Sequence, residues 1–585
     1  MSAENPTQIH ATGEATGFIP APGDKGKPIT VIGTNSIRAG FDATCLQQAL
    51  NARSAPGVTD LVLNPDAHAG YGAPVGCVLT SPTHVYPGPV GVDIKCSMSF
   101  PQLDLPADQV ADKTVRRALI DAILERMLTG PGRGQRSARK ARKVGEALGV
   151  KVATDGASPE VLHALGIPLE WAERCEDAAH TGHDGTNSTL ALRLEWLRAN
   201  QFSNFLEKVT QLGSCGGGNH FGECEVVRLL DNDRARRTAE VFGLRDGCVG
   251  FLSHCGSRGF GHALASGQFR ALQQKFAKWD IPLPGEDKEL VYAPLGTPEA
   301  DAYLDDMALG ANFATVNHLL INALVLEAFQ EIIPGVRGSL VYFISHNIAR
   351  KELLPDGRGG FAGEGWVHRK GATRAFPAGH PSLKETPFAA TGHPILLPGN
   401  PTAGSVIMAA DAGAHVAAYS VNHGAGRCMG RKAADRALDQ KTVDDEFVAN
   451  DILTNCRQYP KDEAPAAYKD FDAVLDSSES RRSGERSRAA QSAFRHQRCR
   501  HEPERRSMTE VGRSVCRRLI SFPVKLGFPL RQSADHSLEL RRFAKEHLLH
   551  LGVILTQRFQ SVLWRRNSQR PLGCLSVLGP RRSEK

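Results

Sequence analysis

At 585 residues the chain is too long for one ordinary core, so a large domain with additions, or several domains, is expected. Its 13 cysteines, odd in number and without disulfide-like spacing, argue against a secreted disulfide scaffold and for a reducing compartment. The net charge of +7 is unevenly placed: residues 477–585 carry 21 Arg and 3 Lys, while the preceding body is mildly acidic, so the total says little about the body's partners.

Residues 1–30 open "MSAENPTQIHATGEATG", with no basic start running into an apolar stretch. They read as a loose lead-in and not as a secretory signal. Apolar runs such as "HLLHLGVILT" at 547–556 read as too short to cross a bilayer. A cytoplasmic protein without membrane contact is expected. Residues 31–105 read as strand and loop. A helix is expected over 107–128, where Val115, Leu119, Ile120, Ile123 and Met127 recur at helical spacing. "RGQRSARKARK" at 133–143 reads either as a solvated basic face or as a contact to a phosphate backbone.

The stretch 316–333 predicts a buried helix stopped by Pro334 and Gly335. Two apolar runs then share one design. "CVGFLS" ends at His254 and "LVYFIS" ends at His346, each a buried strand delivering an imidazole at its end. "PILLP" leads similarly into Gly399 and Asn400. Past Asp476 the texture turns Arg- and Ser-rich, as in a nucleic-acid-binding tail or an out-of-frame continuation.

Ligand-type side chains recur beside small residues or at strand ends: Asp93 and Cys96 in "VDIKC", Asn219 and His220 in "GGGNHFGEC", His254, His346 and Asn347. Each alone is weak, since a lone histidine is more often a core or surface residue than a ligand. If they converge, one carboxylate, one thiolate and three imidazoles could hold two metals sharing Cys96. Ligand softness alone favours zinc or another thiophilic metal. Paired metals suit phosphoryl chemistry. His423, in "SVNHGAGRCMGR", then reads as a nucleophile able to attack the α-phosphorus of a nucleoside triphosphate. Gly424 and Gly426 leave room for the nucleotide and Arg427 supplies a cation.

Nine ordered stretches carry a resemblance: "PDAHAGYGAPVG", "GVDIKC", "LGSCGGGNHFGE", "SHCGSRGFG", "SHNIA", "HRKGATRAFPAG", "LLPGN", "NHGAGR" and "DEAPAAYKDFDAVLDS". Through most of 30–476 the chain resembles the RtcB RNA ligases. The resemblance implies an α+β fold: one large catalytic domain over 31–476, with β-sheets lining a deep dinuclear-metal cleft, followed by an Arg-rich tail at 477–585. It implies a GTP- and manganese-dependent ligase. Such an enzyme joins an RNA 3′-phosphate or 2′,3′-cyclic phosphate to a 5′-hydroxyl, in tRNA splicing or RNA repair, through a guanylylated His423. Asp93, Cys96 and His220 would form one manganese site; Cys96, His254 and His346 would form the second. Nucleotide contacts would fall on Asn219, His220, Phe221, Gly222, Glu223, His346 and Asn347. Pro398, Gly399, Asn400, Pro401, Ser405, His423, Gly424, Ala425 and Gly426 would complete them. Arg258, Arg369, Lys370 and Arg374 are candidate RNA or phosphate contacts, with a structural role as the equal alternative for the Arg369, Lys370 and Arg374 cluster. A monomer is expected, with an activating protein as a further partner.

Three departures stand out. Asn400-Pro401-Thr402-Ala403 replaces the Ser-Met-Gly-Thr common in the family. Val421-Asn422 precedes the histidine in place of the usual small residue and cysteine. No equivalent of the family's C-terminal nucleotide-binding lysine strand is found; Lys525 in "FPVKLG" has the wrong spacing. The rival readings are therefore a catalytically impaired, ligase-derived RNA-binding protein, and a dinuclear phosphoesterase that would leave "NHGAGR" unexplained.

Overall fold

A computed structural model of the chain describes residues 6–21, 26–127, 129–130, 138–202 and 204–480. They form a mixed α+β domain in which two sheets carry the site. The larger sheet has seven strands, ordered His10–Ala11, Thr16–Ile19, Ile29–Ile32, Asp60–His68, Val75–Ser81, Phe361–Lys370 and Asn347–Pro355. Its pairings are antiparallel except that of Ile29–Ile32 with Asp60–His68. A parallel pair needs a crossover, supplied here by helices Asn35–Ala39 and Ala43–Ser54. Asp42 caps the second helix, accepting from the Cys45 amide at 2.8 Å. Cys45, Ala49 and Leu50 on its inner face join Val31, Leu61 and Leu79 of the sheet in one core.

Residues 10–19 therefore depart from the expected loose lead-in. Phe18 pairs with Thr30 and Ile19 with Ile29, and Ile19 is fully buried. The far end departs from expectation too. Helix Phe471–Ser480 runs past residue 476. Ser477 Oγ accepts from the Thr34 amide at 2.9 Å, and Ser478 Oγ donates to Asn422 Oδ1 at 2.8 Å. The tail beyond Ser480, Lys525 included, lies outside the described residues, as do residues 133–137 of the basic stretch.

The smaller sheet is antiparallel, ordered Gly338–Ser345, Ser97–Pro106, Cys248–Cys255, Phe221–Val226. Behind it runs helix Pro298–Ile332, longer than the sequence suggested and capped by Thr297. Its best window has a mean hydropathy of 1.4, so by length and composition it could span a bilayer, yet 94% of that window is buried within the protein. The expectation that no apolar stretch is long enough to span is corrected on this point. The helix also carries a polar stripe that a lipid-facing segment would not tolerate. His318 reaches Ser97 Oγ at 3.0 Å and Ser253 Oγ at 2.7 Å. Asn322 donates to Ser99 Oγ at 2.6 Å, and Asn317 donates to Gly256 O at 3.1 Å. These bonds tie the helix to the two central strands.

Three basic side chains in the described part of the basic stretch form ion pairs: Arg139 meets Glu125, Lys140 meets Glu331 at 2.7 Å, and Arg142 meets Glu327. The proposed RNA contacts turn inward. Arg369 is buried in a bidentate pair with Glu352, both bonds 2.7 Å. Arg374 pairs with Glu176 at 3.0 Å. Arg258 donates to Ser214 Oγ and Gly130 O, and Lys370 donates to backbone carbonyls. Arg369 and Arg374 are thus held by buried carboxylates.

Removing one partner of a buried pair strands the other. Glu352→Ala is expected to cost about 3–5 kcal/mol, because the Arg369 side chain is only 1% exposed. Arg139→Ala, at a side chain 78% exposed, should cost under about 1 kcal/mol. Urea unfolding midpoints of the two variants would show the contrast; equal midpoints would refute it.

Candidate active site

Strand register gathers the candidate ligands. In the smaller sheet Ser97 pairs with Ser345 on one side and Cys255 on the other. Met98 pairs with His254, and His254 with Phe221. The residues just before or after these positions are Cys96, His346 and His220, so three neighbouring strand ends and His254 meet at one edge. His346 donates its amide to Cys96 O at 2.9 Å. It also sits where the chain leaves one sheet for the other, between strands Gly338–Ser345 and Asn347–Pro355.

Cys96 Sγ lies 3.1 Å from His254 Nε2 and 3.4 Å from His220 Nε2. His254 Nε2 lies 3.1 Å from His346 Nε2, and His220 Nε2 lies 2.8 Å from Asp93 Oδ2. The donors fall into two triads sharing the thiol: Cys96, His254 and His346, and Asp93, Cys96 and His220. In each, ligand atoms lie within 4.8 Å of one another. His254 Nδ1 donates to Asn219 O at 2.8 Å, which leaves its Nε2 lone pair facing the cluster. Burial and neighbouring imidazoles hold His254 and His346 far below the usual histidine range, so both are neutral and ligand-ready. Burial and the nearby Asp93 carboxylate push the Cys96 thiol up. Burial works against an Asp93 carboxylate too, but His220 outweighs it and draws Asp93 to about 2. Such a set of buried lone pairs can hold one or two divalent cations, and a cation relieves the crowding.

His423 stands beside this cluster, its ring centroid 4.9 Å from that of His346. It follows strand Ser420–Asn422, which pairs with Ala372–Arg374. Asp66 Oδ2 accepts from His423 Nδ1 at 2.6 Å and from the His423 amide at 3.1 Å. The carboxylate is fully buried. A proton on Nδ1 is held by this contact, which leaves Nε2 as the nitrogen not engaged by Asp66. A side chain at Gly426 would strike Asp66 O at 2.4 Å, and its φ of +70° suits glycine alone. Gly426 thus lets the backbone close on the aspartate, while Gly424 lies against Pro398 O.

One cavity of about 360 Å³ takes in both features. Asp93, Cys96, His254, His346 and His423 line it, with Asn219, Phe221, Asn347, Pro398 and Gly399. Gly424, Ala425, Gly426 and Arg427 also belong to the wall. His220, Gly222, Glu223, Asn400, Pro401 and Ser405 are not among its described lining residues. Gly222 packs on Phe251, and Asn400 Oδ1 builds its own turn by accepting from Thr402 and Ala403. Ser405 Oγ is buried without a hydrogen-bond partner.

Sequence reasoning missed Asp66 although it quoted the stretch containing it. The same stretch supplies His68 and Tyr71 to the wall, and Lys370, Arg431 and Tyr468 come from elsewhere. Asp66 and His68 have the i, i+2 spacing of one strand face, a signal that was available. The partner of Asp66, 357 residues away, was not.

A family model described as tRNA-splicing ligase RtcB matches residues 48–485. The tRNA-splicing ligase RtcB of Thermococcus kodakarensis is 33% identical over 444 residues, covering 74% of this chain and 86% of that protein. That of Pyrobaculum aerophilum is 33% identical over 448 residues, with 74% and 86% covered. The RNA-splicing ligase RtcB of Mycobacterium tuberculosis is 32% identical over 441 residues, with 74% and 95% covered.

Because one thiol serves both triads, cobalt(II) titration is expected to produce a thiolate-to-metal absorption band that Cys96→Ala abolishes, weakening both sites. Asp93→Ala should keep the band, since the Cys96, His254 and His346 group survives. The loss in Cys96→Ala should exceed the roughly 10–100-fold typical of changes outside the ligand shell.

Proposed function

The chain belongs to the tRNA-splicing ligase RtcB family, and from that premise we propose that it joins RNA 3′-phosphate or 2′,3′-cyclic phosphate ends to 5′-hydroxyl ends, with GTP and manganese. The supporting observation is that an aspartate-held histidine shares a cavity with the thiol-centred donor cluster. Asp93, Cys96 and His220 would hold one manganese ion, and Cys96, His254 and His346 the other. Bound there, divalent cations neutralise charge on phosphate oxygens.

His423 Nε2 attacks the α-phosphorus of GTP, the bond to the β-phosphate bridging oxygen breaks, and pyrophosphate leaves. Asp66 keeps the Nδ1 proton in place and stabilises the positive charge that the ring gains. A 2′,3′-cyclic end is first opened by water, which breaks the bond from phosphorus to the 2′-oxygen and leaves a 3′-phosphate and a 2′-hydroxyl. The guanylate then passes from His423 Nε2 to an RNA 3′-phosphate oxygen, and the 5′-hydroxyl oxygen attacks that 3′-phosphorus, losing its proton to solvent as GMP leaves. Asn219 to Glu223, Asn347, Pro398 to Pro401, Ser405 and His423 to Gly426 are the nucleotide contacts in this reading. Arg427 lies in the cavity wall, with Nε donating to Met429 O, Nη2 donating to Asp462 O, and Nη1 3.7 Å from Glu463 Oε2. In this reading it contributes positive charge beside the phosphates from a side chain that is already held in place.

The rival of an impaired RNA-binding protein rested on the stretch past residue 476. No observation on the described residues favours it. A phosphoesterase would need neither the Nε2-directed tautomer of His423 nor the space beside it.

Incubation with radiolabelled GTP and manganese is expected to leave a covalent GMP label, absent in His423→Ala. Asp66→Asn should slow labelling roughly 10²- to 10⁴-fold while metal binding persists. Metal-loaded wild type that takes no label, or label that survives His423→Ala, would overturn the proposal.

A further inference from the structure

The cavity wall contains a ring that the chemistry above leaves idle. Tyr71 lines the cavity, yet the residue is 64% exposed. The other two carbocyclic aromatics of the wall are committed. Phe221 is buried, and Tyr468 is half-buried with its hydroxyl held by Glu463.

The loop that carries Tyr71 is tied down. Gln48 clasps Gly70 from both sides, accepting from its amide at 2.9 Å and donating to its carbonyl at 2.8 Å. The buried Lys370 ammonium donates to Tyr71 O and, at 3.1 Å, to Ala73 O. A Cβ at Gly70 would lie 2.6 Å from Ala73 O. One at Gly72, where φ is +64°, would lie 2.6 Å from Glu289 O. The Lys370 ammonium also lies 5.7 Å from the Tyr71 ring centroid, a cation–π contact that helps to fix the ring. A fixed backbone therefore displays a largely exposed ring at the mouth of the site. Burying that ring would be favourable, so leaving it open calls for an occupant.

We propose that Tyr71 is a stacking platform for a nucleobase of the RNA end that enters this cavity. The proposal rests on the ligase reading for the identity of the substrate. Selecting guanine needs hydrogen-bonding groups aimed at a base edge. The loop's carbonyls at Gly70, Tyr71 and Ala73 and its Gly70 amide are already engaged by Gln48 and Lys370, and the Ala73 amide by Tyr71 O. It offers a face and not an edge. Every base has a π-face, so stacking tolerates any terminal nucleotide. Unpaired RNA ends present such faces.

The test uses the full chain, without GTP, and two oligonucleotides carrying 2-aminopurine. One has it beside a 3′-phosphate, the other beside a 5′-hydroxyl; the arm that is quenched identifies which end stacks. Wild type is expected to quench at least one probe. Tyr71→Ala should abolish that quenching and raise the Kd by at least about fivefold. Tyr71→Phe and Tyr71→Trp should retain both, since the ring and not the hydroxyl is used. GTP labelling of His423 should fall less than RNA binding in Tyr71→Ala. Unchanged RNA affinity in Tyr71→Ala would overturn the proposal. So would a loss of GTP labelling as large as the loss of RNA binding, which would assign the ring to guanine. Absence of any GMP label in wild type defeats the ligase reading instead, and the direct binding measurement remains decisive for Tyr71.

Discussion

One buried sulfur sets the terms for the rest of the molecule. Cys96 lies within 3.4 Å of two imidazoles, and its thiol serves both donor triads. Groups of that polarity are costly away from water unless each has a partner. A displacement of one strand by a single residue would turn the ligand positions to the other face. The sheet must therefore be held in register, and helix Pro298–Ile332 does this by bonding Ser97, Ser99 and Ser253 through His318 and Asn322. An apolar helix supplies the burial, and its polar stripe supplies the alignment.

The second constraint is the passage of the chain from one sheet to the other. His346 belongs to the donor cluster, while Asn347, its neighbour, begins the edge strand of the seven-stranded sheet. Asn347 Oδ1 accepts from Gly371 N at 2.8 Å, just before the strand that pairs with Ser420–Asn422. The donor cluster and His423 are thus joined through few covalent steps and a short ladder. Buried charge pairs stiffen the same region: Glu176 binds both Ser345 and Arg374, and Glu352 binds Arg369. These arginines shape the site without facing it.

What was readable followed from local chemistry. A buried apolar run that ends in histidine identifies a strand and the point where it delivers a ring, which holds for His254 and His346. The glycines around His423 read as room for a nucleotide, whereas a side chain at Gly426 would meet Asp66 O at 2.4 Å and one at Gly424 would meet Pro398 O at 3.0 Å, neighbours that come from other segments. The positive charges of "HRKGATR" left two readings open, RNA contact or structural role. The carboxylate partners of Arg369 and Arg374, Glu352 and Glu176, lie in other segments, so local sequence could not choose between them. The N-terminal residues misled because Phe18 and Ile19 gain their partners from Ile29–Ile32 only once the strands pair.

By itself, then, the sequence determined the family, the α+β class and the chemical types of the candidate ligands, since these depend on residue identity and short-range pattern. Only the tertiary structure decided that Asp66 serves His423, that Arg369 and Arg374 point inward, and that Tyr71 stays largely exposed. Each is a contact between segments far apart in the chain, and a side chain's role there is set by what packing places beside it and what it leaves open to solvent.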